Sequence, residues 1–235
     1  MNALLRASGR YAIYFAPTRR SALGRFGHAW LDRDAVTGAD MEVPGISPER
    51  LAEITAEPRI YGFHATLKPP FAIVAGQSAA ALDRALAAFA AVRHSFLAPP
   101  LHLIRLDGFW ALTLAEPSAA ADRLAADCVA HFDCFRAPPS QEELKRRRRA
   151  GLSRIQEALL QRWGYPYVFQ EFRFHMTLTA RLTGAEAPLL GAHLVSVVGP
   201  LCRRPLSIDA VALFHQPAPG ARFRLLRRYP LLSER

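Results

Sequence analysis

Lysine is almost absent from this chain. Of its 30 basic residues only Lys68 and Lys145 are lysines, and the rest are arginine. Cysteine is scarce too: Cys128, Cys134 and Cys202 are an odd number with no CxxC spacing. That argues against a disulfide framework or a cysteine-rich zinc site and fits a reducing, cytoplasmic setting. Long apolar runs are missing. The richest stretch, Ala79 to Val92, is broken by Asp83 and Arg84, so it falls short of the roughly 18 uncharged residues a membrane helix needs. Met1 to Arg10 has no apolar segment ahead of Arg6 and Arg10, so no signal peptide is expected. Neither G-x-G-x-x-G nor G-x-x-x-x-G-K-[ST] occurs, which removes support for dinucleotide and P-loop readings. H-E-x-x-H is absent as well, and no metal or other cofactor is expected.

What is present is an ordinary globular composition: 235 residues, 51% hydrophobic and 21% charged. That length buries a core without staples. No low-complexity linker divides it, so residues 1–235 are expected to form one domain of two lobes. The formal net charge of +10 points to anionic partners, such as nucleotides, phosphates, nucleic acid or acidic surfaces. A codon-driven arginine and alanine bias is the bland alternative.

Short β-like runs alternate with amphipathic ones. Strands are expected at Arg10–Ala16, Ile60–Leu67 (ended by Pro69-Pro70, with Phe71–Val74 as a continuation after a turn or bulge), Leu101–Leu106, Phe109–Leu114, Glu171–Leu182, Ser207–Phe214 and Ala221–Tyr229. Helices are expected at Ser21–Leu31, Ser47–Ala56, Ser78–Val92, Ser118–Phe132, Ser140–Trp163 with a break near Gly151, and from about Ala185 to Val197. Asp107-Gly108 between apolar runs is the strongest hairpin signal. Mixed helices and hairpin strands favour α+β with antiparallel sheet over a doubly wound parallel sheet.

Two segments echo each other. Phe63-His64-Ala65-Thr66-Leu67 and Phe174-His175-Met176-Thr177-Leu178 both read Phe-His-x-Thr-Leu. On a strand, alternation gives His64, Thr66 and Lys68 one face, and Arg173, His175 and Thr177 one face. A single copy is most simply structural; two matching copies suggest duplicated lobes whose histidines meet across a cleft. One neutral imidazole can take a proton while a protonated one gives it. Threonine hydroxyls can donate to phosphoryl oxygens. This is equipment for phosphodiester cleavage without metal.

The paired His-x-Thr resembles the motif of the 2H phosphoesterase superfamily. The longer strings Tyr61–Phe71, Trp163–Phe169 and Glu171–Leu178, with Tyr11–Pro17 as first strand, resemble its phosphonate-metabolism-associated branch, a family of unknown function. The resemblance covers Arg10 to Leu231. It implies two pseudo-symmetric lobes, each an antiparallel sheet with flanking helices, and an active cleft between them. It implies His64 and His175 as the catalytic pair and Thr66 and Thr177 as phosphate binders. It implies a small cyclic or linear phosphodiester as substrate, with a phosphorylated sugar cyclic phosphate as first candidate. The alternatives are 2',3'-cyclic phosphate RNA-end processing and a non-catalytic phosphate- or RNA-binding module. Lys68 and Arg173 are further candidates for phosphate oxygens, against the reading of solvated strand-end charges. Tyr14 is a candidate cleft residue, against simple core packing. The run Lys145-Arg146-Arg147-Arg148-Arg149 wraps a helix and reads as a solvated surface, with nucleic-acid contact the alternative.

Overall fold

In the computed structural model of the chain, residues 9–31, 46–149, 151–184 and 186–233 are described. Nearly all of Met1–Arg10, and Ala185, lie outside them. The strands are β1 (Arg10–Phe15), β2 (Ala65–Phe71), β3 (Phe96–Leu106), β4 (Phe109–Leu114), β5 (His175–Thr177), β6 (Pro205–Ile208), β7 (Ala210–Gln216) and β8 (Arg224–Pro230). The helices are α1 (Ala22–Trp30), α2 (Pro48–Ile54), α3 (Ala79–Ala90), α4 (Ala119–His131), α5 (Gln141–Arg148), α6 (Arg154–Trp163) and α7 (Glu186–Val198). Serine opens α1 to α6: the Ser21, Ser47, Ser78, Ser118, Ser140 and Ser153 hydroxyls each accept from a backbone N–H of the first turn. Such a cap contributes about 1 kcal/mol. At Ser153 the Gln156 side chain completes a capping box.

The strands form one antiparallel sheet in the order β6-β3-β4-β5-β2-β1-β7-β8. The fold is α+β, with an antiparallel sheet in each half. The halves are not separate sheets, because they join where β2 meets β5. About that seam the order is pseudo-symmetric, with the motif strand innermost on each side. The chain threads both halves. β1 and β2 belong to one, β3 to β6 to the other, and β7 and β8 return to the first. Only Asp209 separates β6 from β7, so the sheet must curl to bring its two sides together there.

The expected hairpin forms: Asp107 and Gly108 both have positive φ, 47° and 92°, as a two-residue turn between Leu106 and Phe109 requires. Two strands run through prolines instead of stopping at them. In β2, Pro69 and Pro70 fall in a register shift between the pairs Ile13–Lys68 and Tyr11–Phe71. In β3, Pro99 and Pro100 fall where pairing passes from β6 to β4. At both places the missing N–H disrupts no regular ladder. The expected strand Glu171–Leu182 shrinks to His175–Thr177. Beyond it the chain is held by single bonds: Ala180 N–H donates to the Ile54 carbonyl and Leu182 N–H to that of Gly108. The Thr179 hydroxyl, which unbroken alternation would set on the face of His175, is buried and accepts from Trp110 N–H.

One face of the sheet carries the main core. It includes Ile13, Phe15, Ala65, Leu67, Phe174, Met176 and Leu178, with residues of α1 to α4 and α7 packed over them. The other face holds a smaller aromatic cluster of Tyr14, Phe214 and Phe223. No helix among the described residues is long and apolar enough to cross a membrane. All three cysteines are free, and Cys128 is buried.

Candidate active site

The seam between β2 and β5 brings the two motifs together. Ala65 pairs with Met176, and both point into the main core. Continuing that antiparallel register by one residue each way sets Thr66 opposite His175 and His64 opposite Thr177. All four then share the other face, each histidine across from the other copy's threonine.

Both imidazoles are oriented by the same device. Nδ1 of His64 lies 2.8 Å from the carbonyl oxygen of Gly62, and Nδ1 of His175 lies 2.8 Å from that of Arg173. A carbonyl only accepts, so each Nδ1 carries hydrogen and each Nε2 is left to serve the cleft. Nε2 of His64 lies 3.2 Å from the Thr66 hydroxyl. The turn that presents His64 has Gly62 at φ 81°, which a side chain would strain.

The surroundings of the two histidines differ. His64 is stacked on Tyr14, with ring centroids 3.8 Å apart, and Tyr61 and Phe214 close around it. Tyr14 is buried, and burial, with Tyr61 and Tyr165 nearby, raises its phenol well above the usual tyrosine range. It both packs in the aromatic cluster and forms the floor under His64. His175 lies beside Phe109 and opposite Thr113, whose hydroxyl donates to the Phe174 carbonyl. Burial lowers the His175 pKa below the ordinary imidazole value, with the Arg173 charge adding to the effect and its carbonyl opposing it.

A cavity of about 840 Å³ opens from the His175 side, lined by Thr66, His175, Phe109, Tyr165, Phe169 and Arg173 among others. Phe169 has a φ of 53°, an uncommon conformation for a phenylalanine. In the lining of the cavity the Gln156 amide donates to Glu171 at 2.7 Å.

Arg173 is exposed at this cavity, as its alternation predicted. Lys68 is not in the cleft. The pairs Tyr14–Thr66 and Ile13–Lys68 leave Leu67 as an extra residue, and this bulge breaks the expected alternation. Lys68 is buried instead. Its ammonium donates to the Val129 carbonyl in the last turn of α4 at 2.9 Å and lies 3.5 Å from Asp133. Burial lowers it to about 8, against the pull of Asp133. The basic run on α5 is largely paired by acids: Arg146 and Arg147 with Glu143, Arg148 with Glu157. No group of three or more His, Cys, Asp or Glu side chains among the described residues is placed to hold a metal ion. Sequence reasoning gave no role to Phe109, Thr113 or Arg181. The cavity residues Tyr165, Tyr167 and Phe169 lie in a string whose only signal was its family resemblance.

Comparison with known proteins adds the following. Two curated relatives are both called ribose 1,5-bisphosphate phosphokinase PhnN. The one from Janthinobacterium sp. (strain Marseille) is 38% identical over 96% of this chain and 51% of its own length. The one from Laribacter hongkongensis (strain HLHK9) is 35% identical over 95% of this chain and 52% of its own. The chain thus spans about half the length of the curated relatives it matches. Among solved structures, E. coli LigT complexed with 3'-AMP covers 95% of this chain and 98% of its own at 14% identity, with a TM-score of 0.43. The phosphate complex of LigT gives 12% and 0.41. The model of the family described as protein of unknown function (DUF1045) matches residues 66–224. By that match the chain, with both threonines and the second histidine of its paired motif inside the matched region, belongs to the DUF1045 family.

Proposed function

We propose that this chain is a metal-independent phosphoesterase of the 2H type that opens a cyclic phosphodiester on a phosphorylated sugar. The observation that carries the reading is the pair of imidazoles on one sheet face. Each is held through Nδ1 by the carbonyl two residues upstream, and each is opposite the other copy's threonine. Two positioned imidazoles can act as base and acid on opposite sides of one phosphorus. One accepts a proton from water as its oxygen attacks phosphorus. The other gives a proton to the departing alkoxide. Thr66 and Thr177 are suited to donate to the nonbridging oxygens, where charge grows in the transition state.

The name of the relatives narrows the substrate. It describes a kinase that takes ribose 1,5-bisphosphate. This chain matches about half of each and has no G-x-x-x-x-G-K-[ST], so the nucleotide-dependent step is assigned to the other half. Hydrolysis of a 5-phosphoribosyl 1,2-cyclic phosphate at the 2-oxygen adds water across one P–O bond and yields ribose 1,5-bisphosphate. A phosphoesterase joined to such a kinase would supply its substrate.

The test is phosphorus NMR of cyclic phosphates incubated with the protein and EDTA. Ring opening of the sugar ester, lost in His64→Ala and in His175→Ala, is expected. Turnover that EDTA abolishes, or that survives both substitutions, would move the chemistry elsewhere. Preference for an oligonucleotide ending in a 2',3'-cyclic phosphate would favour RNA-end processing. Binding without turnover would favour a phosphate-binding module.

A further inference from the structure

The two ends of the cleft have lost the symmetry that the two motifs keep. Around His64 the space is filled by Tyr14, Tyr61 and Phe214. Open volume lies on the other side: the cavity is lined by His175 and Thr66 but not by His64. A substrate whose phosphorus sits between the histidines must therefore extend its remaining atoms past His175.

That side alone carries motif-linked cations. Arg173 and Arg181 flank β5, two residues before and six after His175, and both line the cavity. The matching positions around His64 are Gly62 and Pro70. Neither guanidinium group makes a hydrogen bond or ion pair with any described residue, although Asp107 and Glu171 line the same cavity. Glu171 is engaged by Gln156. Among the described residues other exposed arginines, Arg84 and Arg123 among them, are unpaired too, but Arg173 and Arg181 line the cavity that holds His175. Two guanidinium groups left unpaired in the lining of one cavity suit a dianion, each offering forked N–H donors.

We propose that Arg173 and Arg181 form a second anion subsite, which takes the distal phosphomonoester of the substrate and fixes which way it lies in the cleft. The subsite rests on the reading of the histidine pair as the hydrolytic centre. It gives that reading the residues that select its substrate: a cyclic ester carrying a second phosphate on the sugar, in preference to one without.

Two measurements separate the subsite from the reading it rests on. Ribose 5-phosphate carries the distal phosphate and no cyclic ester, so its titration by calorimetry reads the subsite without turnover. Arg181→Gln and Arg173→Gln should each weaken it roughly tenfold or more, as loss of a hydrogen bond to a charged group does. Arg181→Lys should recover part of the loss. In turnover, the ratio of kcat/KM for ribosyl 1,2-cyclic phosphate with and without a 5-phosphate should fall by a similar factor in Arg181→Gln. Both side chains are exposed, so the variants should fold. Ribose 5-phosphate binding that is indifferent to both substitutions would overturn the subsite, whatever is hydrolysed. Binding that depends on them, with neither ester hydrolysed by the unaltered protein, would leave the subsite standing and overturn the hydrolytic reading. Stronger turnover of an oligonucleotide cyclic phosphate than of the 5-phosphorylated sugar would also overturn the assignment to a phosphomonoester.

Discussion

His64 and His175 are held so alike that their differences stand out. Both lend Nδ1–H to a carbonyl, but only His64 lies on a tyrosine face. Substituting either by alanine should cost roughly 10²–10⁴-fold in kcat/KM, the range for a positioned acid or base. The double variant should lose less than the product, because the two act as a unit. Equal additive losses would mean that they serve separate steps. Burial favours the neutral form of His175, so its folded pKa lies below the unfolded value of 6.5. The unfolded chain then binds more protons in that window. The stability this group contributes is present above pH 6.5 and is lost as pH falls through the folded value. A ¹H–¹⁵N titration of the His175 ring should give a midpoint below 6.5, and a midpoint above it would contradict the burial account. Lys68 follows the same sign for the same reason, burial of its charge. Its folded pKa is about 8 against 10.5, so its charge is a cost at neutral pH that fades as pH rises from about 8 to 10.5. Relative to Lys68→Met, the unaltered protein should gain stability across that interval in denaturant melts. A constant difference between the two would place Lys68 in solvent.

At the scale of elements, two helices press glycines against the aromatic residues that carry the motifs. A methyl at Gly27 of α1 would come within 1.9 Å of the Phe63 ring, and one at Gly191 of α7 within 2.1 Å of Trp110. Phe63 precedes His64, and the Trp110 carbonyl receives the N–H of Leu178, the last residue of the second motif. Gly27→Ala should destabilise by about 1–3 kcal/mol, as overpacking does. Displacement of Phe63 should also lower kcat, read in thermal melts and steady-state kinetics on the same preparation. Unchanged melting would mean that the helix backs away freely. These contacts could not be seen in the sequence, where Gly27 is one glycine in an amphipathic run. Locally encoded features could: the serine caps, the Asp107-Gly108 turn, and the apolar face of each motif strand. The reading failed where a partner strand decides. Pro69 and Pro70 read as a stop because the register shift that tolerates them belongs to the pairing with β1. The same bulge turned Lys68 away from the face that alternation assigned it. Glu171–Leu182 alternates well enough for a long strand, yet only His175–Thr177 pairs, because the chain beyond it hangs on single bonds to Ile54 and Gly108.

For the whole molecule the controlling fact is that sequence halves and sheet halves do not coincide. β7 and β8 close the half begun by β1, and Asp209 alone joins them to β6 on the far edge of the other half. Trp30 of α1 reaches across to donate to the Leu178 carbonyl at 2.8 Å. The half of β2, β1, β7 and β8 cannot complete its sheet without chain from both ends of the sequence, and the other half is the stretch between them. Calorimetry should therefore show one cooperative transition, with van't Hoff and calorimetric enthalpies equal, despite a length at which independent units are common. Two resolved transitions would mean that the halves are separable. The candidate site lies on the seam that this transition must break, so an anion held there binds only the joined state. Inorganic phosphate at about a hundred times its dissociation constant should stabilise by about 2.7 kcal/mol. For a domain of this size that is a rise in Tm of roughly 5–10 °C. The rise should shrink in Thr66→Val and Thr177→Val, which remove one donor from each side of the seam. A Tm that responds equally in these variants would place the bound phosphate away from the paired motifs.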